Sequence, residues 1–242
     1  MLNMELKSQV AIVTGAARGL GLQIAEDLAR EGVNVCGTDI RMDLLETNLN
    51  RISTEHQVET LAIEADVSIA SDVKMMVGKV FEKWGKLNIL VNNAGIRRVA
   101  PVDEISTETW DQVHSTNLKS QFLCTREALN QGLLKQNEGV IIFISSGSGK
   151  VGEENGTAYC ASKWGIMGFA ESVAKDLKET KIRVTTITPG MIWTPMAEES
   201  EVAHLDLKWL DSKDVSNAVM FCIKQDADTI IPELRVYHRA QI

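Results

Sequence analysis

The feature that most constrains this chain is a repeated alternation of short β-branched runs with longer amphipathic stretches. Val10 to Val13 precedes Gly19 to Glu31, Val33 to Thr38 precedes Met42 to Glu55, and Val58 to Ile63 precedes Ile69 to Trp84. The pattern runs on through Leu87 to Val91, a helix around Thr107 to Leu134, Val140 to Ser145, a helix around Thr157 to Glu179, and Arg183 to Ile187. A helix near Ser212 to Lys224 and a strand near Thr229 to Tyr237 complete it. Strands apolar at nearly every position must be covered on both faces, and right-handed helical crossovers then give an open parallel sheet with helices on each side. The expected class is α/β, a doubly wound parallel sheet. No Pro/Gly/Ser-rich linker divides the 242 residues, so one domain over residues 1–242 is expected, with a substrate loop at about 191–210.

Composition narrows the function classes. A net charge of −8 and the lack of a Lys/Arg run or basic-aromatic stripe set nucleic acid aside as a partner. The unbroken apolar runs fall far below the ~18 residues that span a bilayer, and Met1 to Val10 lacks a secretory core, so a cytoplasmic protein without membrane contact is expected. Cys36, Cys124, Cys160 and Cys222 are scattered without a CxxC, which reads as reduced thiols. His56, His114, His204 and His238 have no paired spacing, and no metal site is expected.

The chemistry begins after the first strand, at Thr14-Gly15-Ala16-Ala17-Arg18-Gly19-Leu20-Gly21. Gly15 permits a tight turn, Gly19 lets backbone N–H groups approach a diphosphate, and Gly21 lets the following helix pack on the sheet. The GxxxGxG spacing differs from GxGxxG, but a strand before it, a helix after it and Asp39 at the end of the second strand make it a Rossmann-type dinucleotide cradle. Asp39 can accept from both ribose hydroxyls of NAD, whereas a 2′-phosphate would meet a like charge, so NAD is expected and NADP less so. Arg18 and Arg41 oppose this, since either can pair with a 2′-phosphate. On a predicted helix, Tyr159 and Lys163 stand four apart and share a face, where an ammonium favours a phenolate and Tyr159 can act as general acid or base. Ser146, just past the fifth strand, can hydrogen-bond a substrate carbonyl and the developing alkoxide. Ser145 and Ser148 read as turn serines.

Taken together, Thr14 to Gly21, Asn92-Asn93-Ala94-Gly95, Ser146, Tyr159-Cys160-Ala161-Ser162-Lys163 and Pro189-Gly190 resemble the short-chain dehydrogenase/reductase family over nearly the whole chain. Tyr159 follows Ser146 by thirteen positions, as the resemblance requires. It implies a catalytic group of Asn117, Ser146, Tyr159 and Lys163, with Asn117 anchoring a relay water, Tyr159 protonating the oxygen and Lys163 also holding the nicotinamide ribose. It further implies that Arg18 and Leu20 join the glycine turn at the cofactor and that Asp66 and Val67 meet the adenine. Asn93, Ala94 and Gly95 would pass beneath the nucleotide, with Pro189, Gly190, Ile192 and Thr194 at the carboxamide end. The family commonly forms homotetramers and homodimers through the helices bearing Asn117 and Tyr159, and a homo-oligomer is expected.

Substrate walls are expected from Arg97, Arg98, Ser148 to Gly152, Met191, Trp193 and Met196. Arg97, Arg98 and Lys150 point to an anionic small molecule, although Glu153 and Glu154 lie near in sequence and solvated arginines would explain the same residues. Trp193 either lines an apolar pocket or packs its loop. The main reading is an NAD-dependent oxidoreductase interconverting a small alcohol and its carbonyl compound. Two others compete: a non-catalytic dinucleotide-binding module, which would tolerate Tyr159→Phe, and a reductase of carrier-bound 3-oxoacyl thioesters, which Asp39 and the acidic balance disfavour.

Overall fold

A computed structural model describes residues 5–198 and 208–241. Seven strands form one parallel sheet: β1 (Val10–Thr14), β2 (Asn34–Asp39), β3 (Thr60–Glu64), β4 (Ile89–Asn92), β5 (Glu138–Ile144), β6 (Lys181–Pro189) and β7 (Glu233–Val236). Their spatial order is β3-β2-β1-β4-β5-β6-β7, with every pair parallel. The chain runs outward from β1 to β3, then returns to place β4 on the other side of β1. This reversal opens a crevice at the carboxyl ends of β1 and β4, the position where open α/β sheets bind ligands.

Helices α1 (Gly19–Arg30), α2 (Met42–His56) and α9 (Ser212–Ile223) cover one face. Leu20, Ile24, Leu28, Leu45, Leu49, Ile52, Val215 and Val219 pack there on Ala11, Val13, Val35 and Ile142. The other face carries α3 (Ala70–Trp84), α5 (Ser120–Ala128) and α7 (Thr157–Asp176). Val73, Val77, Val80, Leu123, Ile166 and Val173 meet Val10, Ile12, Leu90, Ile141 and Phe143 there. Alternate residues of one strand thus serve opposite cores, which is why the strand runs are apolar at successive positions.

Two buried charges tie α9 into this frame. Asp27 on α1 accepts from Ser216 at 2.6 Å and from Lys213, both on α9, and from Gln23 at 3.2 Å. Burial works to raise its carboxyl, but these hydrogen bonds outweigh it and hold Asp27 below the usual carboxylate range. Buried Arg183 on β6 donates to the carbonyls of Cys222 at 2.7 Å and Ile223 at 2.8 Å, placing a cation at the negative end of α9.

Beyond shifts of one or two residues at strand ends, three expected elements differ. The helix around Thr107 to Leu134 divides into α4 (Thr107–His114), a π turn at Ser115–Lys119, α5, a second π turn at Leu129–Leu133 and α6 (Leu134–Gln136). Gly132 in the second π turn faces Phe81, and a Cβ there would lie 2.0 Å from the ring's Cζ. The helix from Thr157 stops at Asp176 rather than Glu179, and the last strand spans Glu233–Val236 rather than Thr229 to Tyr237, because a turn joins Thr229 N–H to the Asp226 carbonyl. The expected substrate loop contains α8 (Pro195–Glu198), and its residues 199–207 lie outside the described residues, as does His204.

Candidate active site

The glycine turn is built by close backbone approach. Gly15 (φ 67°) and Gly19 (φ 61°) occupy the left-handed region, and a Cβ on Gly21 would fall 2.1 Å from the Gly15 carbonyl oxygen. Asn93, at the end of β4, braces the turn by donating to the carbonyls of Thr14 at 2.8 Å and Gly15 at 3.3 Å. Thr14 Oγ1 in return accepts the N–H groups of Asn93 at 2.9 Å and Ala94 at 3.0 Å. The first turn of α1 therefore presents its N-terminus to the crevice, with glycines at 15, 19 and 21 on the cavity wall.

A cavity of about 760 Å³ extends from this turn to the ends of β5 and β6. Gly15, Arg18, Gly19, Leu20, Gly21, Asn93, Ala94, Gly95, Ser146, Tyr159, Lys163, Pro189, Gly190, Ile192 and Thr194 all line it. Asp39, Asp66, Val67 and Asn117 do not line it, among the described residues. Asp39 is 5% exposed, and its carboxylate accepts from Ala17 N–H at 3.3 Å and from Arg41 through the backbone N–H at 3.1 Å and Nε at 3.0 Å. Arg41 and Ile40 stand at the cavity wall in front of it. Asp66 accepts from Ser68 N–H at 2.9 Å, and Val67 is buried.

The side of the cavity that holds the expected catalytic group is assembled by α7 and the loop after β5. Gly149 brings the loop onto α7, where a Cβ would lie 2.9 Å from the Lys163 carbonyl oxygen; Ser145 donates to that same carbonyl at 3.1 Å. This docking sets Ser146 on the same cavity as Tyr159, near enough to act on its phenol. Lys163, 4% exposed, donates to the Ile144 carbonyl at 3.0 Å, and its ammonium lies 5.7 Å from the centre of the Tyr159 ring. Burial lowers the Lys163 ammonium to about 8.

The Tyr159 phenol differs from expectation: it is raised, not lowered. Burial is the main cause and Glu153 adds to it, while the Ser146 hydrogen bond and Arg97 act in the opposite direction without prevailing. Asn117, fully buried in the first π turn, spends its carboxamide on the loop after β4. Its Oδ1 accepts from Ile96 N–H at 2.8 Å, and its Nδ2 donates to the Ile96 carbonyl at 2.9 Å and to Ser162 Oγ at 3.0 Å.

At the substrate end several expectations change. Ser148 lines the cavity but Gly149, Lys150, Val151 and Gly152 do not, because the chain turns outward after Gly149. Lys150 is bound to Glu233 at 2.8 Å and Arg97 to Glu153 at 3.3 Å, so neither is an open anion receptor. Arg98 lines the cavity, donates to the Arg97 carbonyl at 2.9 Å and has no carboxylate partner among the described residues. Trp193 packs edge-on against Trp209 at 5.3 Å, and it is Trp209, with Met191 and Met196, that faces the cavity. Ser148 is more than a turn serine, since it bonds both Ser146 and Glu153. Glu153, weighed in the sequence only as a charge opposing the arginines, lines the cavity, as do Tyr237 and Gln241, which carried no sequence signal.

Elsewhere, Glu26, Glu55 and His56 cluster, but Arg51 bridges the two carboxylates at 2.8 and 2.7 Å and supplies the positive charge there. All four cysteines are buried and unpaired by disulfides, and burial pushes Cys36 and Cys124 up to about 12. No described helix is long and apolar enough to cross a membrane.

Known proteins share this arrangement along most of their length. Residues 9–204 match the short chain dehydrogenase family. An uncharacterized oxidoreductase of Staphylococcus saprophyticus is 34% identical over 96% of this chain and 98% of its own. A 3-oxoacyl-[acyl-carrier-protein] reductase of Staphylococcus aureus is 35% identical over 91% and 92%. Among solved structures, an actinorhodin polyketide ketoreductase variant with NADPH superposes with a TM-score of 0.88 at 30% identity, covering 95% of this chain and 96% of that one. An alcohol dehydrogenase from Thermococcus sibiricus with 5-hydroxy-NADP reaches 0.87 at 24% identity and the same coverage, a likeness of fold. With its glycine turn, its serine, tyrosine and lysine on one cavity, and a family match across most of its length, the chain belongs to the short-chain dehydrogenase/reductase family of nicotinamide-dinucleotide-dependent oxidoreductases.

Proposed function

We propose that this chain is an NAD-dependent dehydrogenase that interconverts a small secondary alcohol and its ketone, or a primary alcohol and its aldehyde, in the cytoplasm. The observation that carries the reading is the convergence of Ser146, Tyr159 and Lys163 on the cavity that begins at the glycine turn. Gly15, Gly19 and Gly21 would leave the backbone bare for the diphosphate, while Asn93 to Gly95 would form the floor and Pro189, Gly190, Ile192 and Thr194 the far wall. Asp39 would take the adenosine ribose once Arg41 gives way in front of it, and Asp66 and Val67 would stand toward the adenine. When bound, the dinucleotide supplies the hydride donor or acceptor at nicotinamide C4.

The chain's own residues manage the oxygen and its proton. Tyr159 gives a proton to the carbonyl oxygen in reduction or takes it from the alcohol in oxidation, and Ser146 positions that oxygen. Lys163, still largely protonated at neutral pH, steadies the developing phenolate, and Asn117 holds the loop of Ile96 beside it and serves the proton relay. Arg98 supports an anionic substrate. Arg98→Ala is expected to raise KM for an acidic substrate about tenfold, the loss of one charge-assisted contact. An unchanged KM would remove the anionic assignment.

A second reading, reduction of a 3-oxoacyl thioester, is favoured by the reductase relative from Staphylococcus aureus. Following nicotinamide absorbance with NAD and NADP across hydroxy acids, polyols, hydroxysteroids and 3-oxoacyl thioesters separates the two. Turnover of hydroxy compounds with NAD supports the proposal, and turnover confined to thioesters with NADPH replaces it with the second reading. Exposed Trp110, Phe122 and Trp164, on α4, α5 and α7, support a homodimer or homotetramer through these helices. Sedimentation at micromolar concentration should give a multiple of the chain mass, and a monomer would contradict it.

A further inference from the structure

The last residues of the chain have no role in the chemistry described above, yet they fold back onto the site. Gly190 N–H donates to the Val236 carbonyl at 2.8 Å and ties the end of β6 to the end of β7. Beyond β7 the chain makes one tight turn at Arg239–Gln241, where the Gln241 N–H reaches the His238 carbonyl at 2.8 Å. That turn carries Gln241 back over Gly190. A Cβ at position 190 would fall 2.1 Å from Gln241 Oε1 and 2.9 Å from Tyr237 Cδ1, so a residue without a side chain is needed for the close approach.

What Gln241 meets there is the neck of the loop between β6 and α9. Among the described residues, its two stems are joined by one parallel bridge, Ile192 opposite Leu210. Leu210 N–H donates to the Met191 carbonyl at 2.8 Å and Trp193 N–H to the Leu210 carbonyl at 2.9 Å, while Trp193 and Trp209 meet edge-on across the neck. Gln241 adds three hydrogen bonds to these two. Its Oε1 accepts the Met191 N–H at 3.1 Å, and its Nε2 donates to the Met191 carbonyl at 3.1 Å and to the Lys208 carbonyl at 2.6 Å. A carboxamide nitrogen carries two hydrogens, so both are used, one on each stem. Met191 and Trp209, the neighbour of Lys208, line the cavity, as does Gln241 itself.

Resting on the reading of this end of the cavity as the substrate's place, we propose that Gln241 is a specificity-determining residue: its carboxamide clamps the two stems and fixes Met191 and Trp209 at the separation that selects the alcohol. It is a positioning residue, acting through the cavity wall and not on the reacting atoms. Ser146, Tyr159 and Lys163 stand on the loop after β5 and on α7, and none of them bonds Gln241 among the described residues. Loss of the clamp therefore loosens selection and leaves the chemical step in place. An uncharged side chain suits this task, because it binds an N–H and two carbonyls at once, which neither a carboxylate nor an ammonium can do.

The test uses Gln241→Met and Gln241→Glu in the full chain, with two readouts. The first variant keeps the bulk without the hydrogen bonds, and the second keeps the shape but, when ionised, has no hydrogen to donate. The first readout is amide hydrogen exchange at Met191, followed by NMR on protein labelled with nitrogen-15 methionine and assigned with Met191→Leu, since the chain has only nine methionines. Gln241 Oε1 is the acceptor of that N–H, so exchange should be about tenfold faster in Gln241→Met, the scale of one lost hydrogen bond.

The second readout is steady-state oxidation of a compact and a bulky panel alcohol, each giving tyrosine-dependent turnover. In both variants KM for the better alcohol should rise about tenfold, the scale of a misplaced apolar contact in a pocket, with kcat within about threefold of wild type. The kcat/KM ratio between the two alcohols should move toward one. A protein that is merely destabilised would instead lose kcat on both alcohols alike at unchanged KM. That result, an unchanged selectivity ratio, or a Met191 amide that exchanges no faster in Gln241→Met overturns the proposal. If wild type turns over no panel compound, the catalytic reading fails and the specificity role falls with it, while the exchange at Met191 alone decides whether the clamp exists.

Discussion

Tyr159→Phe is expected to lower turnover by about 10²- to 10⁴-fold, the range for loss of a positioned general acid or base, while cofactor affinity stays within a few-fold of wild type. The ring stays to fill its half-buried site against the Lys163 ammonium. Only the hydroxyl goes, and with it the group beside Ser146 on the cavity that the account assigns to proton exchange with the substrate oxygen. The pH dependence follows from the direction of the shift. Burial holds the phenol above its ordinary 10, so the protonated acid predominates at neutral pH and suits reduction. Alcohol oxidation, which needs the phenolate, should rise with pH, and Lys163 loses its positive charge above about 8 within that climb. Steady-state rates and dinucleotide titration on both proteins check this, and a Tyr159→Phe protein at wild-type speed would contradict it.

Asp39→Ser should move the preference from NAD toward NADP by about 100-fold in kcat/KM ratio, or roughly 2.7 kcal/mol, within the cost of a like-charge contact. Two effects add. The carboxylate that would repel a 2′-phosphate disappears, and Arg41, now held by Asp39 through Nε at 3.0 Å, is released at the cavity wall to pair with that phosphate. The same pair explains why a carboxylate and an arginine two residues apart gave opposing signals in the sequence: one reports on the ribose and the other on the phosphate, and in the folded chain they restrain each other. An unchanged cofactor ratio in Asp39→Ser would mean that this carboxylate does not set the choice.

What the sequence disclosed depended on how local the physics was. Strands with apolar residues at successive positions and a glycine turn between Thr14 and Gly21 need nothing beyond their neighbours to be recognised, and both lie where expected. The pair Tyr159 and Lys163 follows from helical spacing alone. The π turns at Ser115–Lys119 and Leu129–Leu133 were hidden because their causes are tertiary: Asn117 reaches Ile96 across the fold, and Gly132 yields to Phe81.

The substrate wall was least legible. Lys150 and Arg97 read as anion receptors only until Glu233, from the last strand, and Glu153 are found beside them. The raised phenol of Tyr159 has the same origin, since helical spacing displays the lysine but not the burial. Ser148 looked like any turn hydroxyl because its meaning lies in the residues it joins.

The most direct test of the account follows a labelled hydride. With the alcohol–ketone pair that the panel yields, NADH carrying deuterium at C4 is mixed with ketone, and the product is analysed by mass spectrometry for wild type and Tyr159→Phe. The account predicts one deuterium on the carbinol carbon from wild type and loss of nearly all label transfer over the same time from Tyr159→Phe. Equal label transfer by the two proteins, or bound NADH that never passes its label to any ketone or thioester of the panel, would contradict it.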